Sequence, residues 1–248
     1  MKRTVLNWQI TLAFILITCS ATIYYIHYLI FKDAHHIFIY LLGDIGFLFI
    51  DVLIVMLVLN RLLELRDRQL IRKKLNMVIG TFFCEVGTDL VRKSVPFETD
   101  LSDFTQRLIV TNNWTDKEFR KARLTIEQYE LDINSKKGNL ADLKDFLIQK
   151  RQFLLSLLEN PNILDHESFT NLLWAVFHLT DELSHRTDLH NLPETDYQHL
   201  AGDIKRAYHS LILEWLDYMK YLKSDYPYLF SLALRTNPFD AKIKVEVQ

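Results

Sequence analysis

Residues 8–31 contain no Asp, Glu, Lys or Arg. A run of 24 residues makes about 36 Å of helix, against a bilayer hydrocarbon core of about 30 Å. Trp8 stands near one end and Tyr24, Tyr25 and Tyr28 near the other, where interfacial aromatics sit. A cleaved leader is the competing interpretation, because Lys2 and Arg3 precede the run. The run is too long for a leader's apolar region, and no small-x-small cleavage site follows it. A lipoprotein signal would use Cys19, but Thr18 suits that signal poorly and the apolar run continues past it.

A second apolar run, 37–59, carries Asp44 and Asp51, and a short link, 32–36, joins the two. The expectation is a transmembrane helical hairpin with spans 8–31 and 37–59. Eight Lys and Arg residues flank its outer ends: Lys2, Arg3, Arg61, Arg66, Arg68, Arg72, Lys73 and Lys74. Only Lys32 lies in the link. That asymmetry predicts a membrane protein with both termini cytoplasmic and the link outside.

Composition narrows the rest. Gly 6 and Pro 5 in 248 residues come to about 4%, against about 12% in average usage, which argues against an all-β fold built on tight turns. A net charge of -2 gives no bulk attraction to nucleic acid. Two cysteines, Cys19 and Cys84, form no disulfide framework.

The pattern predicts an all-α chain in three parts: the hairpin 1–60, a juxtamembrane stalk helix 61–95 and a cytosolic helical bundle 96–248. Leu62, Leu65, Ile71, Leu75, Val78 and Phe82 recur at helical spacing with no proline before Pro96. Thr115 and Glu118 make a capping box, opening a helix expected to reach about Ser135. Asn139 suits the N-cap of a helix over 140–159, and Asp165 that of a helix from His166 to about Arg186. A long helix is expected from the Pro193 region to about Asp225, then a short one over 228–234. The tail 242–247 alternates polar and apolar residues, as a short strand or a frayed end would.

Three stretches resemble a group of two-span prokaryotic membrane proteins: LLGDIGFLFIDVLIVMLVLNRLLELRDRQLIRKKLNMVIGTFFCEVG (41–87), ESFTNLLWAVFHLTDEL (167–183) and EWLDYMKYLKSDYPYLFSLALRTNPF (214–239). The group has no established activity, cofactor or catalytic residue. The resemblance implies an inner-membrane protein with a helical cytosolic domain and transfers no site.

Two clusters stand out. Asp44 and Asp51 are seven apart, nearly on one helical face. An acid inside a bilayer costs at least about 2.5 kcal/mol, so each must face protein or water. The two would line a cation or proton path; or Asp51 would bond across the hairpin to Thr18, Thr22 or another polar residue of the first span while Asp44 lies near the outer interface; or both would hold an oligomer together, with Gly43 and Gly46 allowing close approach. His178, Asp181, Glu182 and His185 share one face of the next domain's helix. Glu182 and His185 have the Glu-x-x-His spacing of metal bundles, and Asp196 and His199 repeat it with Asp. A metal set of His178, Glu182, His185 and His199 is therefore conceivable, with Glu159 and Glu214 as further carboxylates. A solvated polar face explains the same residues.

The basic residues Arg61, Arg66, Arg68, Arg72, Lys73 and Lys74 read as contacts to anionic lipid headgroups rather than a nucleic-acid patch. Trp215, Tyr218, Tyr221, Tyr226, Tyr228 and Phe230 have the spacing of core residues, and a ligand pocket is the alternative. No phosphate-binding glycine loop, nucleophile elbow, Cys-x-x-Cys or His-Glu-x-x-His occurs. The expectation is an oligomeric membrane protein, not an enzyme, whose cytosolic domain is a scaffold or sensor for a protein or ligand. Its partners would be the lipid bilayer and further copies of itself, with no nucleic acid. No cofactor is expected; a divalent metal is the alternative. A channel or transporter lined by Asp44 and Asp51, and a metal-dependent bundle oxidoreductase, are the rival functions.

Overall fold

The computed structural model describes residues 2–100, 105–161, 163 and 166–240. The elements are α1 (Lys2–Phe31), α2 (Ala34–Phe82), a π-helical turn (Phe83–Gly87), α3 (Thr88–Ser94), a 3-10 turn (Val95–Phe97), α4 (Asp116–Gln128), α5 (Leu140–Leu158), α6 (Glu167–Ser184), α7 (Glu194–Asp225) and α8 (Pro227–Arg235). Among the described residues no strand forms, and one antiparallel bridge joins Glu98 to Ile133. Asp165 and the tail 242–247 lie outside the described residues.

The chain divides into two compact units, Met1–Arg68 and Gln69–Gln248. In the first, α1 and the start of α2 are long and apolar enough to cross a membrane. Their large apolar side chains are exposed, Phe14 at 71% and Phe49 at 74%. The helices meet at the link, where the His27 and His36 rings stack at 6.4 Å and Asp33 accepts the His36 N–H at 3.1 Å. Among the described residues neither apolar run is buried against the other. The Thr18 and Thr22 hydroxyls donate to the Phe14 and Thr18 carbonyls of their own helix. The cross-hairpin bond from Asp51 to these threonines is therefore not made, because an intrahelical acceptor lies closer.

In the second unit α7 is the central element, packed against α3, α4, α6 and α8, with α5 closing over α6. The chain expected as a stalk joins this core: Leu75, Ile79, Phe82, Phe83, Val86, Leu90 and Val91 are all buried. Its apolar stripe faces the bundle rather than running free toward it. The π-helical turn shifts that stripe, and Gly87 is required there. A Cβ on it would stand 2.5 Å from the Phe83 ring and 2.8 Å from Phe82. Ser94 ends α3 and Pro96 sits in the 3-10 turn, as a residue without an N–H should.

Local signals place several helix starts. Glu118 accepts the Thr115 N–H in the capping box of α4, and Asn139 accepts the Asp142 N–H at 3.0 Å to cap α5. The N-cap of α6 is His166, whose Nδ1 accepts the Phe169 N–H at 3.3 Å. Helix α4 stops at Gln128 instead of about Ser135. The following segment is drawn to Glu98, whose buried carboxylate accepts the Asp132 N–H at 3.2 Å, while Leu131 enters the core.

Candidate metal centre

Helix α6 carries His178 and Glu182, and α7 carries His199 and Asp203, each pair four residues apart. That spacing puts both members on one face of their helix. The short link 185–193 returns α7 along α6, and the two faces meet. His178 Nε2 lies 3.5 Å from Asp203 Oδ1 and 3.9 Å from Glu182 Oε1. His199 Nε2 lies 3.4 Å from Asp203 Oδ2 and 3.6 Å from Glu182 Oε2. Imidazoles and carboxylates thus alternate around a ring. One donor atom from each residue can be chosen so that all four lie within 4.8 Å of one another.

The floor of the ring is Asp203, whose side chain is 4% exposed, while those of His178 and His199 are 46% and 53% exposed. Asp203 Oδ2 accepts no hydrogen bond, and Arg206 Nη1 stands 3.4 Å from Oδ1. Glu182 is held by Arg186, whose Nη1 donates to Oε2 at 2.8 Å. That hydrogen bond, then the charges of Arg186 and the two imidazoles, keep the Glu182 carboxyl below the usual carboxylate range. Two neutral imidazoles and two carboxylates offer an N2O2 donor set to a divalent ion; two protonated imidazoles would form ion pairs in the same positions.

Of the expected set, His178, Glu182 and His199 come together and His185 does not. Helix α6 ends at Ser184, and His185 becomes its C-cap, with Nδ1 at 2.7 Å from the Asp181 carbonyl. A seven-residue spacing keeps a residue on one face only while the helix continues. Asp203 was missed. Its signal is the repeated i, i+4 pair on consecutive helices, His178 with Glu182 and His199 with Asp203, not the i, i+3 spacing of Asp196 and His199. Asp196 serves Arg186. Glu159 is the exposed C-cap of α5. Glu214 is buried 11 residues beyond Asp203 on α7, about 16 Å along the axis.

Asp44 and Asp51 are exposed on α2 and make no hydrogen bond or ion pair within the described residues. Arg61, Arg66, Arg68, Arg72, Lys73 and Lys74 are all exposed, and Arg61 and Arg68 both pair with Glu64. Trp215 and Phe230 are core residues, but Tyr228 is 70% exposed. Tyr218, Tyr221 and Tyr226 join Gly80, Cys84 and Leu229 around a recess of about 420 Å³.

The fold and cluster define an all-helical protein with two long apolar helices before a C-terminal helical domain that carries a His/carboxylate ring. The chain belongs to the MJ1433 family: the C-terminal helical domain of that family matches residues 71–235 and its N-terminal helical domain residues 2–63. It is 43% identical over 236 residues to the uncharacterized protein MJ1433 of the archaeon Methanocaldococcus jannaschii, covering 95% of each chain. No solved structure matches. The relative's description names no activity, in keeping with the resemblance, so no residue role is carried over.

Proposed function

We propose that this protein is a membrane-anchored sensor whose C-terminal helical domain takes its ligand at the α6–α7 ring. Residues 8–31 and 37–59 span the cytoplasmic membrane, both termini lie in the cytoplasm, and the basic residues of 61–74 contact anionic headgroups. The observation that carries the sensing part is the convergence of His178, Glu182, His199 and Asp203 from two packed helices. The anchoring part is supported by the uncharged run and by the exposure of the apolar side chains along both N-terminal helices. Helix α2, which contributes to both units, is the route by which a change in the domain would reach the spans.

The two native cysteines test the anchoring. Cys19 lies within the first span and Cys84 within the C-terminal domain, and both thiols are free and exposed in the protein alone. A membrane-impermeant maleimide should label Cys84 in inside-out vesicles but not in intact spheroplasts. Cys19 should stay unlabelled until detergent is added. Labelling of Cys84 from the outer face would overturn the topology, and recovery of the protein in the soluble fraction would overturn the anchor.

A second reading rests on Asp44 and Asp51, which make no hydrogen bond or ion pair among the described residues. With Gly43 and Gly46 open to a neighbour, copies of α2 would assemble around an axis and place these carboxylates together, as adhesive contacts or as a conducting path. Cation flux in proteoliposomes that disappears in Asp51→Asn would favour the path. Absence of flux in the wild-type protein would exclude it.

A further inference from the structure

We infer that the α6–α7 ring is a binding site for one first-row divalent metal ion of the zinc class, held in a tetrahedral field by His178, Glu182, His199 and Asp203. The inference rests on taking the ring as the domain's ligand site, and it names the ligand.

Four observations carry it. The ring edges measure 3.4, 3.5, 3.6 and 3.9 Å. A tetrahedral ion with bonds of about 2.1 Å sets its ligand atoms about 3.4 Å apart; with one donor atom taken from each residue all four lie within 4.8 Å of one another, so the side chains must draw inward by at most about 1.4 Å to close on an ion. The Asp203 side chain is 96% buried by its 4% exposure, and its Oδ2 accepts no hydrogen bond although it faces the ring. A buried carboxylate oxygen in that state wants a cation. The donors stand on two helices, each pair at i, i+4, so their spacing is set by rigid elements rather than by a loop. The two carboxylates also give the ring negative charge for a cation, of which Arg186 on Glu182 and Arg206 beside Asp203 offset a part.

The mixed donor set points away from Mg²⁺ and Ca²⁺, which prefer all-oxygen shells, and the absence of thiolate from the four points away from Cu⁺. Four protein ligands leave no position for a reactive water, so the site holds the ion rather than using it for hydrolysis. A bound ion would pin α6 to α7 at this point, which is what a sensor domain requires of its ligand.

The test is Co²⁺ titration of the full chain in detergent micelles after chelator treatment, read by visible absorption and by metal content. The expected result is one Co²⁺ per chain with the intense visible bands of a tetrahedral ion, displaced by Zn²⁺. His199→Gln and Asp203→Asn should each weaken binding at least tenfold, and His185→Gln should bind as the wild type does. Absence of binding, a pale six-coordinate spectrum, or His199→Gln binding like the wild type would overturn the proposal. If circular dichroism shows Asp203→Asn unfolded, the half-exposed His199 decides the matter alone. Cys84 labelling in inside-out vesicles does not depend on the metal, so failure of the metal site and failure of the membrane-anchor reading are told apart.

Discussion

Arg186 grips Asp196 with two parallel hydrogen bonds, Nε to Oδ2 at 2.8 Å and Nη2 to Oδ1 at 2.6 Å. The pair closes the link between α6 and α7, and the same guanidinium reaches Glu182. The Arg186 side chain is 15% exposed, so solvent screens these bonds only weakly. Lys144 donates to the Arg186 carbonyl at 2.5 Å, which fixes the backbone on the other side. One residue thus sets both the fold of the link and the position of one member of the ring.

Asp196→Ala should therefore lower stability by about 1–2 kcal/mol, the size of a charge-assisted pair. Arg186→Met should cost more, because it leaves Asp196 and Glu182 together without their cation. Arg186 holds the Asp196 carboxyl below its usual range. That stability is present above the unfolded carboxylate pKa and is lost as the pH falls through the lowered folded value. Thermal melts of the full chain in detergent at pH 7 and at pH 3 check both parts. Equal melting temperatures for wild type and Asp196→Ala at pH 7 would remove the clamp from the account.

Glu98 has the opposite sign. Its side chain is buried, Oε1 takes the Asp132 and Asp100 N–H groups, and Oε2 accepts no hydrogen bond from the described residues. Burial raises its pKa above 4.5. The folded state then binds the proton more tightly than the unfolded chain, and stability falls as the pH climbs from 4.5 through the raised folded value. Glu98→Gln keeps an acceptor for both N–H groups and has no charge to bury. It should melt higher than the wild type at pH 7.5, with the gap narrowing toward pH 4. A gap that stays constant with pH would mean the carboxylate is not the cause.

Phe82 distinguishes a free stalk from a core element. It is fully buried, with edge-on contacts to Phe83 at 5.2 Å and to Phe169 at 5.4 Å. Phe82→Ala should cost about 3–5 kcal/mol, the range for removing a core aromatic. Leu63→Ala, on an exposed position of the same helix, should cost far less in detergent. Similar losses for the two, measured by denaturation, would contradict the burial of this segment.

Gly87 makes the matching prediction for the π-helical turn. Gly87→Ala puts a methyl group into the Phe82 and Phe83 rings, and overpacking of this kind costs about 1–3 kcal/mol. Gly43→Ala, inside α2 where nothing lies within 4 Å, should cost nothing and gain at most about 0.5–1 kcal/mol from helix propensity. A gain in stability from Gly87→Ala would show that the rings have room to move aside.

The helices and most of their ends were readable from residue order because they depend on neighbours within four positions. Thr115 and Glu118 close their box, Asn139 reaches Asp142, and Pro96 follows the end of α3. The two apolar helices were readable for the same reason, since an uncharged run is a property of consecutive residues. Packing decided the rest. Glu98 ends α4 early by binding a backbone N–H 34 positions away, and residues 75–91 become core because their apolar stripe meets other helices, Phe82 against Phe169 of α6 and Phe83 against Tyr218 of α7. The ring shows both levels at once. The i, i+4 pairs on α6 and α7 were written in the sequence, but the exchange of His185 for Asp203 was not. Periodicity assigns a face to a residue only within one helix; which faces meet, and where a helix ends, depend on burial energies summed over the whole domain.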